Sequence, residues 1–203
     1  MRKLLLSLFV VCFGSLLTIV TPVAQAGSQD PEQIVKSTTE QVLGALRQEG
    51  VGEDRQRVYG IIEQMIVPHF DFRKMSQWVL GKNWKQANTE EQGRFVDEFR
   101  KLLVRTYSTA LMEYSDQEIT YLPSHAAPEG GTATVKTQVN STDGPPIPID
   151  YRLYQRDGDW KVFDVAIDGI SLVANYRTSF NEEISTKGFA GLIDTLASRN
   201  QQP

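Results

Sequence analysis

The stretch Thr89 to Tyr114, TEEQGRFVDEFRKLLVRTYSTALMEY, runs almost directly into Gln117 to Leu122, QEITYL, and the two segments have different apolar periods. In the first, apolar side chains recur every three or four residues, as at Phe95, Phe99 and Leu103. In the second, and in the segments after it, apolar and polar residues alternate. A period near 3.6 is typical of an amphipathic helix and a period of 2 of a half-buried strand. The chain therefore changes from helices to strands at about residue 114.

Upstream of this change, residues 30–114 carry the signals of four helices. Asp30 opens the first helix, with a proline at the first helical position. A second helix follows, and a third, short helix is capped by Asp71 and closed by Gly81. Thr89 to Gln92, TEEQ, has the pattern of a capping box for the long fourth helix.

Downstream, residues 117–168 contain four predicted strands and residues 171–198 contain two closing helices. Asp157-Gly158 is a two-residue turn of the kind that joins antiparallel neighbours, so consecutive strands should pair as a meander. The order of helices, sheet and helices predicts an α+β fold: a single domain in which a curved, four-stranded antiparallel meander packs against N-terminal and C-terminal helices. The strands are 117–122, 133–139, 147–153 and 160–167, and the closing helices are about 171–186 and 189–198.

The first residues have the pattern of a removable secretory signal peptide. Two basic residues precede an apolar run from Leu4 to Val20, and Ala24-Gln25-Ala26 is a small-x-small cleavage site. A retained membrane anchor is the alternative, but Pro22 and small residues end the run before the length of about 20 that a spanning helix needs. Cleavage after Ala26 removes residues 1–26 with the single cysteine of the chain. We therefore expect residues 27–203 to form a soluble domain outside the cytoplasm, without a disulfide.

The charge balance argues against nucleic acid as a partner. The chain has 21 Lys and Arg residues against 25 Asp and Glu, a formal net charge of −4, and no basic cluster. Neutralisation of phosphates by basic side chains supplies most of the affinity for nucleic acid. The sequence therefore predicts a protein that does not bind it.

The histidines do not form a convincing metal or catalytic site. His69 and His125 are far apart in sequence, and His125 lies in a predicted loop. His69 and Asp71 could supply two ligands, but two ligands do not make a metal site, and Asp71 is already explained as a helix cap. We predict no metal site.

The remaining polar candidates for catalysis are also better explained as structural. Asp164 and Asp168 would lie about 13 Å apart along a strand, wider than the roughly 5 to 9.5 Å between paired glycosidase carboxylates. Ser171 lacks the second glycine of a nucleophile elbow and is better placed as a helix N-cap. The sequence thus favours no enzyme and offers no catalytic residue.

The apolar residues leave two interpretations open. The stripe of the long helix and the largely apolar last strand can be ordinary core. A helix layer over a curved sheet can also enclose an apolar cavity, which is where small proteins hold apolar ligands. The apolar pattern by itself does not choose between them.

Five segments in this order resemble the MlaC family of periplasmic phospholipid-binding proteins, also called toluene-tolerance auxiliary proteins. They are 67–72 (VPHFDF), 79–84 (VLGKNW), 92–107, 160–165 (WKVFDV) and 168–177 (DGISLVANYR). The resemblance covers nearly all of residues 27–203 and agrees with the signal peptide. It implies a carrier without catalytic residues or cofactor, whose cargo is phospholipid. It also implies transfer across the periplasm between an outer-membrane lipoprotein complex and an inner-membrane ABC transporter with its substrate-binding ring.

On this resemblance, we expect a cavity wall drawn from the helices, the sheet and the start of the closing helix. The face of the strands that lines it is not fixed by the sequence. The expected lipid-binding residues are Leu80, Trp84, Phe99, Leu103, Tyr107, Leu111, Val135, Val139, Tyr151, Leu153, Val162, Val165, Ile170 and Val173.

Two further points stay open in the sequence. Arg177, in the motif Tyr176-Arg177, is expected to pair with Asp164 or Asp168 and fix the closing helix, and a contact with the lipid head group is the alternative. The whole chain could instead be a small-molecule enzyme of the ketosteroid-isomerase kind on a cone-shaped antiparallel sheet, or a periplasmic chaperone with an apolar groove. An enzyme would need an acidic or basic side chain inside the cavity, in an environment that shifts its pKa.

Overall fold

The computed structural model describes residues 30–113, 115–127, 131–141 and 144–201. The predicted signal peptide, its cleavage site after Ala26 and Cys12 lie outside the described residues. The same holds for Glu129 and Gly130 of the first predicted turn. No helix of the described residues is long and apolar enough to cross a bilayer.

The helical half begins as its sequence signals predict. Asp30 caps the first helix by accepting a hydrogen bond from the backbone N–H of Glu32. The second helix continues through one π turn, Ile62–Ile66, and one 3₁₀ turn, Val67–His69, and the third is followed by a 3₁₀ turn, Gly81–Lys85. The α-helices are α1 Pro31–Leu46, α2 Arg55–Ile61, α3 Phe72–Leu80, α4 Thr89–Glu113 and α5 Leu172–Asn200.

The capping box of α4 lies one residue before the predicted position. Oδ1 of Asn88 accepts from the backbone N–H of Glu91 at 3.0 Å, and Oε2 of Glu91 accepts from the N–H of Asn88 at 2.9 Å. Thr89 is therefore the first helical residue rather than the cap. Asn is as good a cap as Thr, and the reciprocal pair keeps the same spacing.

The sheet has five antiparallel strands in the order β1-β2-β3-β4-β5, so the predicted meander is confirmed and the predicted count of four is one too low. The additional strand contains only two residues, which pair with Ala166 and Ile167. A pair this short has no period that the sequence could reveal. The strands are β1 Glu118–Ala127, β2 Thr132–Asn140, β3 Ile147–Arg156, β4 Asp159–Ile167 and β5 Ile170–Ser171.

A bulge in β4 determines which side chains face the interior. Leu153 of β3 pairs with Val162, but Arg152 pairs with Asp164, so Phe163 is one residue too many. The extra residue reverses the alternation, and Val162 and Val165 consequently lie on the same face. Both belong to one buried cluster. This resolves the choice of strand face that the sequence left open.

The closing helical segment is divided as predicted. Within α5, Gly188 has φ 75° and ψ 174°, which is not helical and is open almost only to glycine. The break separates two helical stretches close to the predicted 171–186 and 189–198. Oγ of Ser171 caps the first by accepting from the N–H of Ala174, which confirms its predicted role.

Three buried apolar clusters form the core of the described residues. The helix cluster lies between α3, α4 and α5 and contains Met75, Val79, Leu80, Trp84, Phe95, Phe99, Leu103, Val173, Phe180, Leu192, Ile193 and Leu196. The sheet cluster lies on the inner face of the sheet under α1 and contains Ile34, Val35, Ala133, Val135, Leu153, Trp160, Val162, Val165 and Leu172. The N-terminal cluster contains Val42, Leu46, Val58 and Ile62.

Candidate binding site in the apolar interior

The predicted wall residues divide between the helix cluster and the sheet cluster. Five of them lie in the helix cluster: Leu80, Trp84, Phe99, Leu103 and Val173. Four lie in the sheet cluster, with Tyr151 packed against its margin: Val135, Leu153, Val162 and Val165.

Phe70 and Tyr107 join the two clusters, and we call this pair the seam. Each is partly buried and packs against both the helix cluster and the sheet cluster. Phe70 is held against the sheet because the next residue, Asp71, donates its backbone N–H to the carbonyl of Val162 at 2.9 Å. Tyr107 was predicted as a wall residue, whereas Phe70 was missed. Phe70 precedes a helix cap and has no period of its own, and its place in the VPHFDF motif was the available signal.

The phenol of Tyr107 is held in its neutral form at the seam. Burial, and to a smaller extent the neighbouring Tyr176 to which it is hydrogen-bonded, raise the pKa of Tyr107 to about 12. Burial also raises the pKa of Tyr151 to about 12, although a hydrogen bond with Thr137 acts in the opposite direction. The hydroxyls of the two wall tyrosines are thus neutral, which suits an interior for apolar groups.

The interior is closed around most of the wall. Phe99 and Leu153 are 0% exposed. Side chains that no water-sized sphere can touch line no open space, so these residues pack against protein. The predicted cavity is therefore not open beside them, and a guest between the clusters would have to separate them.

Three predicted wall residues lie apart from these two clusters. Ile170 is 61% exposed on the short strand β5 and does not face the interior. Leu111 packs against the N-terminal cluster, because it lies beyond the seam on α4. Val139 is buried on the inner sheet face opposite Ile147, but belongs to none of the three clusters.

Asp164 fastens the sheet to the start of α5. Its Oδ2 accepts from Nη1 of Arg152 at 3.1 Å and from Oγ of Ser171 at 2.7 Å, and its Oδ1 accepts from the N–H of Val173 at 3.2 Å. The side chain is buried. The structural role predicted for Asp164 is confirmed.

Asp71 connects the seam to the outer side of the sheet. Its Oδ1 caps α3 by accepting from the N–H of Lys74, and its Oδ2 accepts from the hydroxyl of Tyr154 and from Nη1 of Arg156. Burial by itself would raise the pKa of Asp71. The hydrogen bonds from Tyr154, Lys74 and Arg156 outweigh it and hold the pKa below its ordinary value.

The expected ion pair of Arg177 is wrong. Asp164 is paired with Arg152 instead. Arg177 lies on the far side of α5, where its guanidinium faces the backbone of Gly81. Arg and Asp residues nine or more positions apart carry no sequence signal of their pairing, and the rotation of the helix, which decides the pairing, is set by packing.

The described residues also hold no cluster of three or more His, Cys, Asp or Glu side chains suited to a metal ion. Burial lowers the pKa of His69, and the nearby Lys161 lowers it further, so this imidazole is neutral at physiological pH.

A family model described as MlaC protein matches residues 36–198. The chain belongs to the MlaC family. The resemblance inferred from the five sequence motifs is thereby confirmed. The match includes the seam, the whole helix cluster and all of the sheet cluster except Ile34 and Val35.

Named relatives of the MlaC family cover most of the chain. The toluene tolerance protein ttg2D of Pseudomonas putida is 28% identical over 170 residues, which are 82% of this chain and 79% of that protein. The intermembrane phospholipid transport system binding protein MlaC of Haemophilus influenzae is 23% identical over 158 residues, 76% of this chain and 72% of that protein. Neither name describes an enzyme.

A solved structure has the same fold. It is a phospholipid-binding protein from Ralstonia solanacearum in complex with a phospholipid, and it matches with a TM-score of 0.78 and 34% sequence identity. The match covers 84% of this chain and 97% of that one. The α+β fold of this MlaC-family chain is thus shared with a protein that holds a phospholipid.

Proposed function

We propose that this chain is a periplasmic carrier that holds the acyl chains of a phospholipid between the helix cluster and the sheet cluster. The observation that carries the proposal is the seam, where two partly buried side chains, Phe70 and Tyr107, pack against both apolar clusters. The R. solanacearum protein, which has this fold and a bound phospholipid, supports it. Phospholipid is then the cargo, and no cofactor is required.

The energetics explain why such a carrier is needed. Each buried methylene is worth about 0.8 kcal/mol, so a chain of about 16 carbons exposed to water would cost on the order of 12 kcal/mol. Spontaneous transfer of a diacyl lipid through water is correspondingly slow. A protein that encloses the tails removes this cost and can leave the charged head in solvent.

The chemistry of the interior fits a carrier better than an enzyme. The two most buried carboxylates near it, Asp71 and Asp164, are each engaged by three hydrogen bonds that serve to cap and fasten helices. The wall contributes apolar side chains and neutral phenols. We therefore assign no catalytic residue.

Membership of the MlaC family supports a route of transport. We propose transfer across the periplasm between an outer-membrane lipoprotein complex and an inner-membrane ABC transporter with its substrate-binding ring. The name of the H. influenzae relative, an intermembrane phospholipid transport system binding protein, supports this placement. The predicted signal peptide, removed after Ala26, would deliver the chain to this compartment.

Mass spectrometry of an organic extract of the purified protein tests the proposal. For the wild type, we expect at least about one diacyl phospholipid per protein chain. Tyr107→Glu places a charge at the seam and should lower the recovered lipid at least tenfold. Thr106→Glu is the matched control, because it adds the same charge to the same helix at an exposed position and should keep normal lipid.

Circular dichroism should show that both variants are folded. A wild type that yields no diacyl lipid, and takes up none from vesicles, would contradict the carrier and leave the enzyme or chaperone as the better interpretation. Equal lipid in Tyr107→Glu and Thr106→Glu would mean that the tails are held elsewhere.

A further inference from the structure

A polar groove opens between the 3₁₀ turn after α3 and the middle of α5. Its volume is about 530 Å³. One side is formed by Gly81, Lys82 and Asn83, and the other by Arg177 and Asn181. It contains no residue of the sheet and is separate from the seam.

The groove presents hydrogen-bond donors and no carboxylate. Arg177 and Lys82 are exposed, and neither has an ion-pair partner among the described residues. Asn83 donates its amide N–H to Oδ1 of Asn181 at 2.7 Å, which leaves the NH₂ group of Asn181 as another donor. The acidic residues that follow, Glu182 and Glu183, line a different groove. A guanidinium and an ammonium that face one open space without an acidic partner favour an anionic ligand.

The guanidinium of Arg177 lies beside the backbone of Gly81. The φ of this glycine is +53°, a conformation that other residues rarely adopt, and a Cβ there would lie 3.4 Å from Nη2 of Arg177. Another residue would strain the turn, whereas its Cβ would be in ordinary contact with the guanidinium. The glycine is thus required by the end of α3, and Arg177 packs beside it.

The floor of the groove is the surface of the apolar interior. Leu80 lines the groove and belongs to the helix cluster, and Ile184 lines it and packs against that cluster. The cationic and amide donors therefore adjoin the helix cluster, which forms one side of the proposed tail site. This arrangement suits a ligand with an anionic end and an apolar end.

We infer that this groove is the subsite for the phosphate of the lipid head group, with Arg177 and Lys82 as its cationic contacts. The inference rests on the proposed function, since the tails must occupy the neighbouring interior. Free inorganic phosphate has the same recognition chemistry, so the test must separate the two sources. The expected contacts are charge-assisted hydrogen bonds, for which Arg offers two donors in the geometry of a phosphate.

The test compares an Arg177→Gln/Lys82→Gln variant with an Arg55→Gln/Lys85→Gln control. Both remove two exposed cations, but Arg55 and Lys85 lie outside the groove. Each stripped protein is incubated with vesicles containing equal amounts of phosphatidylglycerol and diacylglycerol with the same acyl chains. Wild type and control should retain phosphatidylglycerol over diacylglycerol by at least tenfold. The groove variant should lose most of this preference while it retains diacylglycerol normally.

A second measurement follows the backbone amides of Gly81 and Asn83 by NMR during titration with inorganic phosphate. Shifts that saturate in wild type and are absent in the groove variant, together with the lost lipid preference, support the inference. An unchanged preference for phosphatidylglycerol in the groove variant overturns it, even if phosphate shifts these amides, because the site would then serve free phosphate. Retention of neither lipid by wild type would overturn the proposed function itself, which is a distinct result.

Discussion

Asp71 accepts hydrogen bonds from three residues in two elements: Lys74 of its own helix, and Tyr154 and Arg156 of β3. Lys74 also lies over the ring of Tyr154, with its Nζ 3.2 Å from the centroid. One buried carboxylate thus holds α3, and with it the Phe70 side of the seam, against the sheet. Its neighbours favour the ionised form, which makes the connection dependent on pH.

Acid should weaken this connection, and the sign follows from the lowered pKa of Asp71. Because the folded pKa lies below the unfolded one, the ionised group adds stability above about pH 4, and this contribution is lost as the pH falls through the lower, folded pKa. Asp71→Asn should therefore show a flatter dependence of the free energy of unfolding on pH in this window, measured by urea denaturation. At pH 7 it should be less stable than wild type by about 1–3 kcal/mol.

Asp157→Asn is the control, since it makes the same change at an exposed residue beside Arg156. It should keep the wild-type slope. An Asp71→Asn variant as acid-sensitive as wild type would assign the loss of stability to other carboxylates.

Single residues were predictable where their partners are close in sequence. The caps at Asp30, Asp71 and Ser171 each bind an N–H two or three positions away, so type and spacing suffice. Arg177 was not predictable, because its surroundings come from the turn at Gly81. The seam residue Phe70 was also not predictable, because its contacts with the sheet depend on a backbone bridge to Val162, which is distant in sequence.

At the scale of elements, substitution by alanine should have opposite effects on stability at two glycines of the helices. Gly188 divides α5 with a φ of 75°, whereas Gly93 lies on the exposed side of α4, where an added Cβ would meet no atom within 4 Å. Gly188→Ala should cost about 1–3 kcal/mol, because alanine is strained in that conformation. Gly93→Ala should instead stabilise the protein by up to about 1 kcal/mol through helix propensity.

Urea denaturation of both variants measures these differences, and the slope of the transition should not change. A neutral or stabilising Gly188→Ala would mean that the two stretches of α5 can join into one helix without cost. That result would remove the reason for the observed break between residues 186 and 189.

Elements were predictable where their period is long and uninterrupted. The change from a period of 3.6 to one of 2 near residue 114 gave the α+β order and the four long strands. The bulge at Phe163 could not be predicted, because the flanking residues are apolar on both faces of β4 and the register depends on Arg152 and Leu153 of the neighbouring strand. Two-residue β5 also lies below the length that a pattern can reveal.

At the scale of the whole molecule, the helix cluster and the sheet cluster are two bodies that the seam and Asp164 hold together. The sequence predicted the apolar residues of both clusters, but it did not predict that the two clusters would pack against each other. The positions of apolar residues in a sequence do not specify what fills the space between them in the fold. If lipid occupies that space, the loaded protein replaces contacts between clusters with contacts to acyl chains. The stripped protein then lacks the stabilisation that a bound ligand provides.

Loading should therefore raise the thermal midpoint and do so through the seam. A ligand at 100 to 1,000 times its Kd stabilises the folded state by about 2.7–4.1 kcal/mol, which for a chain of this size corresponds to roughly 5–15 °C. Hydrogen exchange should slow at the amides around Phe70 and Tyr107 on loading, while those around Val58 in the N-terminal cluster should change little. Tyr107→Glu, offered the same vesicles, should show neither effect. If loading slowed exchange around Val58 but not around Phe70 and Tyr107, the acyl chains would lie under α1 and α2, and the seam would have no part in binding.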